Sequence, residues 1–337
     1  MFDTHPKTNN WRNWWPIFST YLYIAAVVAG ALWFFRWRET QVHWWTDIPV
    51  AIFAIALIGP AQHRLLLLGQ EAALGCLFRN RWLNELVGDW LLHFPFSLAT
   101  QQVRYQLLTH YQFTNDPERD AELEILQRAG FWPLKIGRLG RLSAIIRWHS
   151  LRTNYSFETK PLHSNYDATR PPSGVALHIG TAYVLLMFAV LIYLYLQPNE
   201  MILLLVPPAM WALVMCIFII LPANKYQQSK LSSLYSPKVM TLMRITFITL
   251  VNSALGWTTY LTERSGVLNY IALWIAPYFT TTAALMILRH WRQHGPQQTM
   301  SRSFFARLLL FPLRQTSHEE KHREPNKPWF ALGKIAK

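Results

Sequence analysis

Cysteine is almost missing from this sequence. Cys76 and Cys216 are the only two, both in apolar surroundings and without a Cys-x-x-Cys string. That excludes a disulfide framework and leaves small buried hydrophobes as their plain reading. Charge is scarce as well. Only 15% of the residues are Asp, Glu, Lys or Arg, against roughly 25% in soluble domains. A length of 337 residues would permit two ordinary soluble domains, but this composition argues against them. Acidic residues are fewer than basic ones, 18 against 32, for a net charge of +14. No basic run collects that charge, so nucleic acid is excluded as a partner and a membrane surface accounts for it better. Internal repeats and low-complexity tracts are absent.

What is present in excess is apolar. Hydrophobic residues make up 52% of the chain, with 16 Trp, 14 Tyr and 19 Phe. Six segments approach the roughly 20 residues a helix needs to cross the hydrocarbon core: 16–35, 47–69, 175–197, 201–221, 242–261 and 268–288. The first has bulky aromatics at its end and no small-residue cleavage site, so it reads as a spanning helix and not a signal peptide. Trp11, Trp14 and Trp15 precede it, and Trp33, Trp37, Trp44 and Trp45 crowd the turn to the second, marking two interfaces. The fifth contains Asn252, Ser253 and Gly256, which suits a re-entrant segment or one packed inside the bundle. With six spans, 27 of the 32 Lys and Arg fall on one side. The positive-inside rule makes that side cytoplasmic, together with both termini.

The long segment between the second and third spans does not read as disorder. Asp116-Pro117 resembles a helix start, and Glu118, Asp120, Glu122 and Glu124 suit the positive helix end. Residues 138–152 alternate Arg with Leu or Ile, a basic amphipathic stretch fit to lie on a membrane leaflet. Residues 301–314 form a second.

Three strings then line up. The first is Gly69-Gln70-Glu71-Ala72-Ala73-Leu74-Gly75, leading toward Asn80 and Asn84. Next comes Leu107-Leu108-Thr109-His110-Tyr111, followed by Thr114-Asn115-Asp116-Pro117. The third is His318-Glu319-Glu320-Lys321-His322, followed by Pro325, Pro328 and Leu332, with His294-Gly295 upstream. In order and in flanking residues they resemble the three histidine boxes of the membrane fatty acid desaturases, from about Gly59 to Leu332. The resemblance implies an all-α integral membrane protein occupying 1–337 as a single domain. Its plan would be a bundle of four to six transmembrane helices with a cytoplasmic helical cap from 70–174 and 289–337. The family resemblance also implies a di-iron centre held by imidazoles, which uses oxygen and an external electron donor on an acyl chain.

Taken singly, the eight box positions depart from that family. Gln70 and Leu74 stand in the first, Leu107, His110 and Tyr111 in the second, and His318, Lys321 and His322 in the third. Only three keep the imidazole. Leu74 and Leu107 have no lone pair, Gln70 offers a weak carbonyl, and Tyr111 is a poor ligand while neutral. Lys321 would set a cation beside a site meant for two dications. His110, His318 and His322, helped by His294, His63 or Glu71, would at best hold one metal. Glu71 stands where the family has its acidic residue, which the resemblance implies as a hydrogen-bonding partner of the ligands; an acid near a helix end is more often ordinary polar packing.

His318 and His322 also spell His-Glu-x-x-His, the zinc-protease string. Pro325 follows closely and no third ligand is spaced nearby, so two exposed helix histidines is the plainer reading. His63, His93 and His178 lie in apolar segments, where a histidine ordinarily finds a carbonyl or carboxylate partner.

The expectation is therefore a desaturase-like membrane protein of lipid metabolism without oxidase activity and without a cofactor. It would bind a membrane lipid or acyl chain, or act beside an active desaturase or an electron-transfer protein. The alternative is an active oxygen-dependent acyl-lipid desaturase or hydroxylase with a reduced iron site. A scaffold without a lipid pocket is the third possibility.

Overall fold

The computed structural model describes residues 8–39, 42–114, 116, 119–120, 175–226, 234–262, 264–294, 309, 312–314, 318–325 and 327–332. The expected amphipathic stretch at 138–152 and the acid-rich helix start beyond Asp120 lie outside these residues. So does most of 301–314. Among the described residues there is no strand. Six helices are long and apolar enough to cross a membrane: Trp14–Arg38, Trp44–Ala73, His178–Leu196, Glu200–Ile220, Pro237–Thr262 and Gly266–Arg289. That is the architecture of a multi-pass membrane protein, since a helix pairs most of its backbone groups within the segment that crosses the bilayer. All six expected segments are helical; the first, second, fifth and sixth run a few residues longer than expected, and the third and fourth agree with the expected bounds to within a few residues.

The chain divides into two compact units, 1–160 with 272–337, and 161–271. In the second unit the fifth apolar helix turns Ile245, Thr249, Asn252, Gly256 and Thr259 inward. Their spacing of four, three, four and three makes one helical stripe. Thr249 donates to the Ile245 carbonyl at 2.8 Å, so the Tyr183 hydroxyl donates to Thr249. A Cβ on Gly256 would stand 2.7 Å from Leu203. Small and hydroxyl residues let apolar helices approach closely, and this segment packs inside its unit as a full-length helix, not a re-entrant one.

In the first unit the first and second apolar helices pair. Gly59 of the second sits where the sixth crosses it. The Thr282 hydroxyl donates to the Gly59 carbonyl at 3.0 Å and to Gln62 Oε1 at 2.9 Å, while Gln62 Nε2 donates to the Trp274 carbonyl at 2.8 Å. The sixth helix widens to π geometry at Ile271–Ile275 and Tyr278–Thr282, which loosens its own ladder and re-aims backbone groups.

After the second apolar helix the chain folds into a helical hairpin. Asn80 caps the short helix Arg81–Val87 by accepting from Leu83 N, as an N-cap side chain does. A π segment, Gly88–His93, and a 3-10 turn, Phe94–Phe96, continue it. Ser97, at φ 58°, reverses the chain, and Thr100–Gln112 runs back. The Phe96 ring packs on Trp274 and Tyr278 with centroids 5.4 and 5.3 Å away. The hairpin tip therefore packs against residues of an apolar spanning helix.

Candidate functional site

The site begins with how the second apolar helix ends. Cys76 N donates to the Glu71 carbonyl at 2.8 Å and Gly75 N to the Ala72 carbonyl at 3.0 Å, with Gly75 at φ 72°. This is a Schellman closure, in which the left-handed position favours glycine. Side chains add further bonds to the end carbonyls. Asn84 Nδ2 donates to the Ala72 carbonyl at 2.7 Å and Arg104 Nε to that of Ala73 at 2.6 Å. Asn84 Oδ1 also accepts from Leu77 N and Phe78 N, both at 3.2 Å. Arg104 is held in turn by an ion pair with Glu85. Gly69 has no side chain to spare, because its Cβ would meet the His93 ring at 2.7 Å.

This termination fixes Gln70 and Glu71 at the mouth of the helix, where the C-terminal segment reaches them. Lys321, in the short helix His318–Arg323, places Nζ 2.9 Å from Glu71 Oε1 and donates to the Lys327 carbonyl at 2.6 Å. The other carboxylate oxygen accepts from Trp329 N at 3.2 Å. Both charges are buried, the Glu71 side chain at 1% exposure and that of Lys321 at 9%. Beside them, Arg289 Nη1 donates to Gln70 Oε1 at 3.2 Å. The Cys76 thiol lies alongside, 3.7 Å from the Pro325 carbonyl. Burial pushes its pKa up to about 12, against an opposing pull from Lys321 and with a smaller push from Glu71.

The second and third strings meet as well. His110 is buried and presents Nδ1 to Asp120, 2.9 and 3.0 Å from its two oxygens. The His322 ring stands edge-on to those of His110 and Tyr111, with centroids 5.1 and 4.7 Å away. Thr114 donates its hydroxyl proton to the His110 carbonyl at 2.8 Å, so it accepts from His322 Nδ1 at 3.1 Å. Both imidazoles are thereby oriented through Nδ1–H, which puts the lone pair on Nε2 while the ring is neutral.

The remaining expected residues divide. Leu107 is buried in the apolar core and Leu74 packs against it. His318 and His294 lie on helices, but their side chains fall outside the described residues. His63 Nδ1 lies 3.1 Å from the Leu309 carbonyl, and His93 Nδ1 lies 2.9 Å from Thr100 Oγ1. His178 is exposed on its helix, because it faces outward where a buried partner was expected. Sequence reasoning read Asp120 as a helix-start acid and missed it as the partner of His110. It also missed Arg289, whose position among apolar residues was the available signal.

Leu74 and Leu107 offer no donor atom, and the Lys321 ammonium occupies Glu71, the acid of the first string. Among the described residues no three His, Cys, Asp or Glu side chains are grouped so as to hold a metal ion. What the arrangement provides is fixed positive charge, from Lys321 on Glu71 and Arg289 on Gln70. No family model matches the chain, and neither a curated protein nor a solved structure matches it.

Proposed function

We propose that this chain is a desaturase-like integral membrane protein of lipid metabolism in which the oxidase chemistry has been lost. It would act on the cytoplasmic side as an acyl-lipid-binding protein or as the partner of an active desaturase. The observation that carries this reading is the Lys321–Glu71 ion pair. It joins the first and third motif strings, which supports the reading of a retained scaffold in which an ammonium supplies the positive charge. A lysine cation holds a carboxylate in place but changes neither oxidation state nor coordination number, so oxygen activation is outside its chemistry.

The test is elemental analysis and lipid mass spectrometry on one detergent-purified sample. The expected result is iron far below one atom per chain together with a retained acyl lipid. Two irons per chain would overturn the loss of oxidase chemistry, and a lipid-free, fully stable protein would overturn the lipid-binding role.

A second reading is favoured by one observation, the His110–His322 pair with Asp120 behind it. A carboxylate behind a histidine is how metal-ligating imidazoles are commonly oriented. In that reading a single metal would sit on His110 and His322, with His318 or His294 as further ligands, in an active acyl-lipid oxidoreductase. Its expected signature is a change in the lipid profile of the producing cells when His110 and His322 are each replaced by Ala. An unchanged profile under both replacements removes it.

A further inference from the structure

The start of the first apolar helix and the segment after the second form one continuous surface. Asn80 N donates to Asn10 Oδ1 at 2.9 Å, Asn13 Nδ2 donates to the Leu77 carbonyl at 2.5 Å, and the Trp14 and Phe78 rings lie 5.3 Å apart. The surface lies where one spanning helix begins and its neighbour ends, so it sits at the level of the lipid headgroups.

Its composition is unusual. Trp11, Trp15 and Trp82 are exposed at 80%, 72% and 58%, and Leu86 at 46%. Arg12, Arg79 and Arg81 are exposed among them. The acids close by in the chain are otherwise engaged. Glu85 is buried against Arg104, and Glu71 against Lys321. On the C-terminal segment, Glu320 and Glu324 both pair with Lys327. Arg12 lies over the Phe330 ring at 4.2 Å, whereas neither Arg79 nor Arg81 has a carboxylate within ion-pairing distance among the described residues. Two exposed guanidinium groups flanking an indole combine a bidentate phosphate donor with an interfacial anchor.

We propose that this surface is a binding site for an anionic glycerophospholipid, with Arg79 and Arg81 on the phosphate and Trp82 and Leu86 against the glycerol and upper acyl region. The site uses none of the eight box positions, so it stands whether or not the loss of oxidase chemistry holds. The net positive charge of the exposed residues selects an anionic lipid over a zwitterionic one, and the aromatic and leucine side chains select a lipid over a free anion.

The experiment is native mass spectrometry of the full chain in detergent, titrated with phosphatidylglycerol or phosphatidylcholine. A basic residue at a lipid surface contributes roughly fivefold in affinity. The R79Q/R81Q variant should therefore lose on the order of twentyfold for phosphatidylglycerol, and R79K/R81K should keep most of it. R36Q, which removes one charge at the far end of the first apolar helix, should bind as wild type. Excess inorganic phosphate should leave the preference intact. Equal binding of the two lipids by wild type, persistence of the preference in R79Q/R81Q, an equal loss in R36Q, or displacement by phosphate would each overturn the proposal.

Discussion

Replacing Glu71 by Gln should destabilise the first unit by about 3–5 kcal/mol, the usual cost of leaving one member of a buried ion pair without its partner. The isosteric amide keeps the volume and can still accept from Trp329 N. It removes the only carboxylate within 4.0 Å of Lys321 Nζ among the described residues. The ammonium would retain the Lys327 carbonyl, which cannot balance a full charge in a pocket this closed. Thermal unfolding in detergent should show a fall on the order of 10 °C. The double variant E71Q/K321M should recover most of that loss, because an apolar side chain of similar length needs no counter-charge. The sign of the interaction in that cycle is the decisive reading. If E71Q melts with wild type, or if the double variant is no better than E71Q, the pair does not hold the C-terminal segment on the helix end.

Gly59→Ala should be the other large effect, at about 2–4 kcal/mol, from overpacking plus lost interhelical hydrogen bonds. The added Cβ would lie 2.4 Å from Thr281 Cβ, 2.7 Å from its Cγ2 and 3.1 Å from Thr282 N. The first two are backbone-anchored atoms or one bond from them, so no rotamer change relieves the contact and the two helices must part. Parting them stretches the Thr282 bonds to Gly59 and Gln62, and the Gln62 bond to Trp274 with them. Adding Thr281→Gly should restore most of the stability, since it removes the opposing Cβ. Unfolding monitored by tryptophan fluorescence in detergent will distinguish the outcomes. A G59A protein as stable as wild type, or no rescue by Thr281→Gly, would mean that this crossing is not the tight one described.

Much of the plan was legible in one dimension. Whether a segment can cross a membrane depends on its length and apolar content, and neither requires knowledge of its neighbours. The six helices follow from that. Gly75 was not singled out as a helix end, although a left-handed C-terminal position favours glycine whatever the fold. The polar stripe of the fifth helix, Asn252 and Gly256 included, could be read as a packing face for the same local reason.

Partnerships between distant residues were not legible. The residues 70–71, 107–111 and 318–322 could be noticed as strings, but their meeting depends on how the hairpin and the C-terminal segment fold back. Glu71 and Lys321 are 250 positions apart; local sequence leaves each of them an ordinary charged residue at a helix end. Asp120 shows the same limit over a shorter span. Its place after Asp116-Pro117 suggests a helix-start acid, yet the turn at 113–116 swings it onto His110.

The sequence by itself determined six helical segments long and apolar enough to span a membrane, a chain poor in cysteine, and three short strings that hold His110, His318 and His322. Hydrophobic length and side-chain identity are properties of each residue and its near neighbours. Only the tertiary structure decided that the Lys321 ammonium answers the Glu71 carboxylate, because desolvating a charge is tolerable only where an opposite charge arrives to meet it.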